Sequence, residues 1–234
     1  MRKNKLGDSD LMLTEIGLGT WAIGGGDWGM GWGKQDEQDS IVSILEALDQ
    51  GINWIDTAHA YGFGVAEIAV GKALKEFKDD QVIIATKCGV LPEDDNKPRR
   101  FISRKTILEE VDGSLVRLGR DWIDLYQIHW PVPAENLIEA WETLQELKKV
   151  GKIRWAGVCN CWETELEKLH EILCPKDDAH LTMEYEDYYI ITPSIQFYDN
   201  KNKFLKNKKG IVGKKVKNNF QYDSLNNNHF LNIK

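Results

Sequence analysis

No stretch of the 234 residues reaches the run of about 18 apolar positions that a membrane-spanning helix needs. The opening Met1-Arg2-Lys3-Asn4-Lys5 lacks the following apolar segment of a secretory signal. A cytoplasmic chain without membrane attachment is therefore expected. Cysteine is scarce: Cys88, Cys159, Cys161 and Cys174 are the only four, and without a signal they read as reduced thiols rather than a disulfide framework. Cys159-x-Cys161 is spaced too tightly for the usual zinc pairs and has no second Cys/His pair of suitable spacing, so no metal is expected. The last 36 residues, 199–234, contain no Trp, Ala, Glu or Arg, and half of them are Lys or Asn, nine of each. That stretch carries +7, which leaves −14 for residues 1–198 within the total of −7. So little apolar surface cannot offset the entropy of ordering, and the reading is a domain over 1–198 followed by a disordered tail over 199–234. The tail has no arginine and no regular aromatic interleaving, which argues against a nucleic-acid arm.

What is present is a soluble, globular composition, 42% hydrophobic and 29% charged, of a length close to the lower end for a complete βα barrel. Turn residues Leu6-Gly7-Asp8-Ser9 predict a small N-terminal hairpin. Short apolar runs then alternate with helical patterns. Strands are expected at 16–23, 52–56, 82–87, 122–129 and 153–158. Helices are expected at 36–50, with Gly51 as its stop, at 65–77, after the cap Ser103, at 133–150 with Gly151 as its stop, and at 163–173. Strict alternation of this kind means parallel βαβ units joined by right-handed crossovers. Five units are clear. A sixth strand is expected at Pro193-Ser194-Ile195-Gln196-Phe197, and beyond it the pattern fails.

Polar, reactive side chains stand at or just beyond the C-terminal ends of three of these strands: Asp56 followed by Tyr61, Lys87, and His129. In a parallel barrel the loops after the strands line one open face, where chemistry takes place. A phenol, with a reference pKa of about 10, is a poor proton donor near neutral pH, and a neighbouring ammonium stabilises its phenolate and lowers that value. Lys87 is the natural perturber of Tyr61, Asp56 can hold Lys87 charged and oriented, and His129 can donate to or orient a carbonyl oxygen. The cluster Gly24-Gly25-Gly26-Asp27-Trp28-Gly29 formally fits the dinucleotide fingerprint, but no helix opens at its last glycine, so it reads as a loop whose Trp28 and Trp32 could wall a pocket.

Gly17-Leu-Gly-Thr-Trp21 resembles the first strand of the aldo-keto reductase family. Gly51-Ile-Asn-Trp-Ile-Asp-Thr-Ala-His-Ala-Tyr-Gly62, Ala85-Thr-Lys-Cys-Gly89, Gln127-Ile-His-Trp-Pro131 and Gly151-Lys-Ile-Arg-Trp-Ala-Gly-Val-Cys-Asn160 resemble its later signatures in order. The resemblance implies an α/β fold, a (β/α)8 TIM barrel, and an NADPH-dependent oxidoreductase that reduces a small-molecule carbonyl substrate, with Asp56, Tyr61, Lys87 and His129 at the catalytic positions. It also implies that Gly19, Thr20, Trp21 and Asp56 line the cofactor or pocket wall, that Asn160 meets the nicotinamide carboxamide, and that Gln196 matches a following glutamine. Cys159-Asn160-Cys161 stands where the family usually has Ser-Asn-Phe. The seventh and eighth units, with the loops that clamp the NADPH phosphates, have no recognisable counterpart after Asn200. A truncated barrel of five to six units is thus expected, with altered or out-of-frame sequence after about residue 198. It leaves a second reading, a non-catalytic remnant or interaction protein that binds NADPH weakly.

Overall fold

The computed structural model describes residues 1–6, 9–26, 28–77 and 81–161, together with Glu165, Leu169, 189–191 and 211–212. Strands β1 (Lys3–Lys5) and β2 (Met12–Thr14) pair antiparallel as the N-terminal hairpin. β3 (Leu18–Gly19) opens the main sheet. Helix α1 (Glu37–Asp49) starts at Asp36, whose carboxylate accepts from the backbone N–H groups of Gln38 and Asp39, and Gly51, at φ +87°, turns the chain out after it. Then come β4 (Trp54–Asp56), α2 (Val65–Phe77), β5 (Ile83–Cys88), the hairpin β6 (Val90–Pro92) and β7 (Pro98–Arg100), and α3 (Arg104–Leu118). α3 begins with a reciprocal cap between Ser103 and Thr106 and ends at left-handed Gly119. β8 (Ile123–Ile128), α4 (Leu137–Lys149) and β9 (Ile153–Val158) complete the regular part. β10 (Tyr189–Ile191) and β11 (Ile211–Val212) follow.

The sheet runs β3-β4-β5-β8-β9-β10-β11, parallel at every step except the antiparallel last one. From β3 to β9, neighbours in space follow the order of the chain, with α1, α2, α3 and α4 in turn between them, the progression of a (β/α)8 barrel. α1 to α4 pack their apolar faces on the sheet: Ile41, Ile44, Val70, Ile107, Val111, Leu144 and the strand residues Ile55, Ile84 and Tyr126 share one buried core. The hairpin covers the N-terminal end of the strands. Leu6, Leu11 and Leu13 pack on Ala85 and Leu125 beside Trp54, Ile83 and Trp155, while Asp10 pairs with Arg154 and accepts from the Trp155 indole at 2.8 Å. Burying each leucine contributes about 1.5–3 kcal/mol, and the plug leaves the opposite, C-terminal end open for chemistry.

Three elements differ from the sequence expectation. The first strand is only Leu18–Gly19, because both the amide and the hydroxyl of Thr20 bond to the Asp56 carbonyl, at 3.0 and 3.1 Å, and the chain then turns into a short 3-10 helix at Ala22–Gly24. The helix expected from 133 opens as a 3-10 turn at Ala134–Asn136 and becomes α-helical at Leu137. The β6–β7 hairpin was not anticipated, since the polar stretch between its strands hides their pairing. The strand described next to β9 is Tyr189–Ile191; the strand expected at Pro193 to Phe197, with Gln196, lies outside the described residues. Of the helix expected at 163–173, Glu165 and Leu169 are described, both helical. Of the tail expected over 199–234, only 211–212 is described, as β11.

Candidate active site

The ends of four parallel strands deliver the side chains of the site. Asp56 closes β4, Lys87 lies near the end of β5, His129 follows β8, and Cys159 and Asn160 follow β9. Ladder register aligns them: Asp56 is opposite Ala85, and Lys87 is opposite Gln127. Because strand side chains alternate between faces, Lys87 points into the barrel while Thr86 points back into the helix layer.

Lys87 organises the cluster. Its side chain is 1% exposed, and its ammonium donates to Asp56 Oδ1 at 2.7 Å, to the Thr57 carbonyl at 2.9 Å and to Tyr61 Oη at 3.3 Å. All three N–H bonds are thereby used. Burial works against the ammonium, but Asp56 and Tyr61 outweigh it and hold the group well above the ordinary lysine value. Tyr61 Oη accepts from Lys87, so its own proton is aimed elsewhere. The net effect on the phenol corrects the sequence expectation. Lys87 does pull the pKa of Tyr61 down, yet burial pushes it up by more, Asp56 adds to the rise, and the hydroxyl stays above its usual value.

His129 meets Tyr61 edge to face, ring centroids 5.8 Å apart at 81°. Burial first, then Lys87 and Arg100, hold its imidazole well below the ordinary value, so the ring is neutral near neutral pH. Its Nδ1 is buried without a hydrogen-bond partner among the described residues. Its backbone is tied on both sides, the amide to the Cys88 carbonyl at 2.8 Å and the carbonyl to the Asn160 side-chain amide at 2.9 Å. Arg100 stacks on the neighbouring Trp130, 3.6 Å from the ring centroid.

Aromatic rings wall the cluster. Trp21 lies stacked at 20° and 6.4 Å from Tyr61, and Trp28 tilts against the same ring at 6.2 Å. Trp28 is 2% exposed, whereas Trp21 and Trp32 are 46% and 63% exposed and meet edge to face. Of the residues expected to line the cofactor, Gly19 sits opposite Asp56, and a Cβ added there would meet nothing within 4 Å. Thr20 is buried with its hydroxyl committed to the Asp56 carbonyl, so it shapes the backbone instead of offering a free group. Asn160 adopts φ +50° and donates its amide N–H groups to His129 O at 2.9 Å and to Cys159 Sγ at 3.2 Å, which orients the side chain while its carbonyl oxygen is an acceptor that neither bond uses. Open space beside Gly19, the exposed face of Trp21 and the amide of Asn160 fit a flat carboxamide-bearing ring such as nicotinamide.

Three features of the neighbourhood were not read from sequence. The Thr57 carbonyl holds Lys87, and a backbone acceptor leaves no signal in residue type. Cys159 lies close enough to feel both Lys87 and Asp56; burial pushes its thiol up to about 11. Behind β5, Glu67 is fully buried and joins Thr86 to Arg117. That last group had a signal: a glutamate beside Ala66 and Val70 on the buried face of α2.

Comparison with known proteins places these observations in a family. The Aldo/keto reductase family profile matches residues 15–198. The chain is 51% identical over 161 residues to aldo-keto reductase YhdN of Bacillus subtilis, covering 68% of this chain and 47% of that protein. It is 44% identical over 173 residues to the NADH-specific methylglyoxal reductase of Escherichia coli, covering 68% and 52%. Among solved structures, the glycerol dehydrogenase AKR11B4 from Gluconobacter oxydans superposes with a TM-score of 0.65 at 35% identity, covering 81% of this chain and 62% of that one. The chain spans about half the length of the curated relatives it matches. With the parallel strand progression and a profile match over 15–198, the chain belongs to the aldo/keto reductase family.

Proposed function

We propose that this chain reduces a small aldehyde or ketone to the alcohol, with Tyr61 as proton donor. The single observation that carries the reading is the three-way seat of Lys87, which fixes an ammonium between Asp56 and the Tyr61 hydroxyl. A phenol held above its usual pKa keeps its proton at neutral pH and can give it to a carbonyl oxygen. As the proton leaves, the nascent phenolate meets a donor already pointed at it, at no cost in reorientation. Neutral His129, edge-on to Tyr61, steers the carbonyl oxygen toward the phenol with its own N–H. Trp21 and Trp28 exclude water from one side.

Gly19, Trp21, Asp56 and Asn160 would hold the nicotinamide end of NADPH, with Gln196 as a further candidate. When bound, that group supplies the hydride that the carbonyl carbon takes up. The E. coli relative carries "NADH-specific" in its name, so NADH is the comparison to make. Its name, and that of its Gluconobacter counterpart, support small polar substrates such as methylglyoxal or the glycerol aldehyde level of oxidation. The test is isotopic: reduced nicotinamide deuterated at C4, in the phosphorylated or unphosphorylated form, is incubated with the chain and methylglyoxal. Deuterium on the product carbinol carbon is expected; no labelled alcohol with either cofactor rejects the proposal.

A further inference from the structure

A second polar cluster lies behind the site, between β5 and the helices. Thr86 Oγ1 donates to Glu67 Oε1 at 2.6 Å, and Arg117 Nε donates to Glu67 Oε2 at 2.7 Å. The same guanidinium reaches His59 Nδ1 at 3.1 Å and Ser114 Oγ at 3.4 Å. A guanidinium can only donate, so His59 Nδ1 accepts and the ring is the neutral Nε2–H form. Burial, and then the nearby Arg117, depress the imidazole pKa in the same sense. Two glycines make the space for this arginine: a Cβ on Gly64 would come within 2.6 Å of Arg117 Cδ, and one on Gly113 within 2.8 Å of Arg117 Nη1. The two arms of the cluster end next to the open site. Thr86 precedes Lys87 on β5, and His59 is two residues before Tyr61 in the loop after β4.

We propose that Arg117 is a positioning residue: through Glu67 it holds β5, and through His59 it holds the loop of Tyr61, so that one guanidinium sets the spacing between Tyr61 and Lys87. That spacing is the longest of the three Lys87 contacts, 3.3 Å. It lies near the outer edge of hydrogen-bonding distance, where a further shift of the loop removes the bond. β5 is fixed by ladder bonds on both sides, whereas the loop is anchored at its start by the Thr57 amide on the Ala85 carbonyl at 2.8 Å and by the packing of Ala58 and Ala60 beside Trp28 and Val90, and between those two alanines the His59 arm ties it to α3.

The inference rests on Tyr61 as the proton donor, and its test separates the two claims. Arg117→Met and Arg117→Lys are made in the full chain, with His59→Leu as the variant that removes only the loop arm and leaves the Glu67 pair intact. Two readouts follow: kcat and KM for a small aldehyde, and the alkaline absorbance titration of Tyr61, taken as the difference from the same protein carrying Tyr61→Phe. In His59→Leu and Arg117→Met, kcat should fall by about 10- to 100-fold with KM within about threefold, the signature of misplacement rather than lost binding. The Tyr61 titration should move up by about half a pH unit or more, since a phenolate loses its ammonium donor. Arg117→Lys keeps a cation for Glu67 but not the fork to His59, and should recover only part of either change. Folded variants that melt at lower temperature while kcat and the Tyr61 titration stay unchanged would overturn the inference, and His59→Leu decides if Arg117→Met does not fold. The titration needs no turnover: a chain inactive on carbonyls whose Tyr61 titration moves as stated would sink the catalytic reading and keep this one.

Discussion

Lys87→Met is the sharpest perturbation of the site, because the ammonium is 1% exposed and its Asp56 partner 14% exposed. The substitution removes a charge and leaves the Asp56 carboxylate, the Thr57 carbonyl and the Tyr61 hydroxyl without the donor they share. Removing one partner of a buried ion pair costs about 3–5 kcal/mol, most of it the penalty of the stranded charge. For a domain of this size each kcal/mol lowers Tm by about 2–4 °C, which puts the loss at roughly 6–20 °C. Asp56→Asn alone should cost less, since the amide oxygen can still accept from Lys87. In the double variant no stranded carboxylate remains, so its cost should fall short of the sum of the singles by about 2 kcal/mol or more. Urea unfolding at neutral pH of all four proteins measures this coupling directly. Additivity to within about 0.5 kcal/mol would show that Lys87 and Asp56 do not hold each other, and the description of the site would be wrong.

Glu110 lies under the Gly89 amide, both carboxylate oxygens within 3.0 Å of it, and burial pushes its carboxyl up to about 8. The folded state thus keeps a proton that the unfolded chain releases above about 4.5, so this group's contribution is full below that pH and is lost as pH rises through about 8. Glu110→Gln should flatten the decline of Tm between neutral and mildly alkaline pH; an identical pH dependence in the two proteins refutes the shift. Gly71 in α2 leaves no room for a side chain, since a Cβ would sit 2.2 Å from the Arg117 carbonyl oxygen. Gly71→Ala should therefore destabilise by about 1–3 kcal/mol in urea, despite the gain of about 1 kcal/mol in helix propensity; a neutral outcome would mean that α2 and α3 are not packed as described. Leu11, 1% exposed in the plug beneath the sheet, should cost about 2–5 kcal/mol when cut to Ala, and a loss under 1 kcal/mol would show that the hairpin does not seal the barrel.

Much of this was legible because strand and helix periods differ so plainly in the chain. Ile153 to Val158 reads as a strand and is one, and Asp36 and Ser103 open helices because their side chains reach the amides that a helix start leaves unpaired. Gly51 and Gly151 stop helices at positive φ, as their place after an apolar run foretold. Where the reading failed, long-range contacts had decided. Thr20 leaves the strand because the Asp56 carbonyl, 36 positions away, takes both of its donors. β6 and β7 pair across a loop whose residues show no alternation. In the site, residue types at strand ends announced Asp56, Tyr61, Lys87 and His129, and the structure brings all four together. The direction of the Tyr61 shift was not legible, because it depends on burial, which outweighs the charge that sequence could see. The role of Asn160 as a tie to His129 was likewise hidden, since it is made through a backbone carbonyl.

The central claim is that Tyr61 gives the proton, and one substitution tests it. Wild type and Tyr61→Phe are compared for aldehyde-dependent loss of reduced-nicotinamide absorbance, with NADPH and with NADH, after thermal melts show both proteins folded. Removal of the phenol proton should lower kcat by about 10²- to 10⁴-fold, while Lys87 keeps Asp56 and the Thr57 carbonyl as partners and the fold persists. A Tyr61→Phe protein that reduces the aldehyde at the wild-type rate would contradict the account.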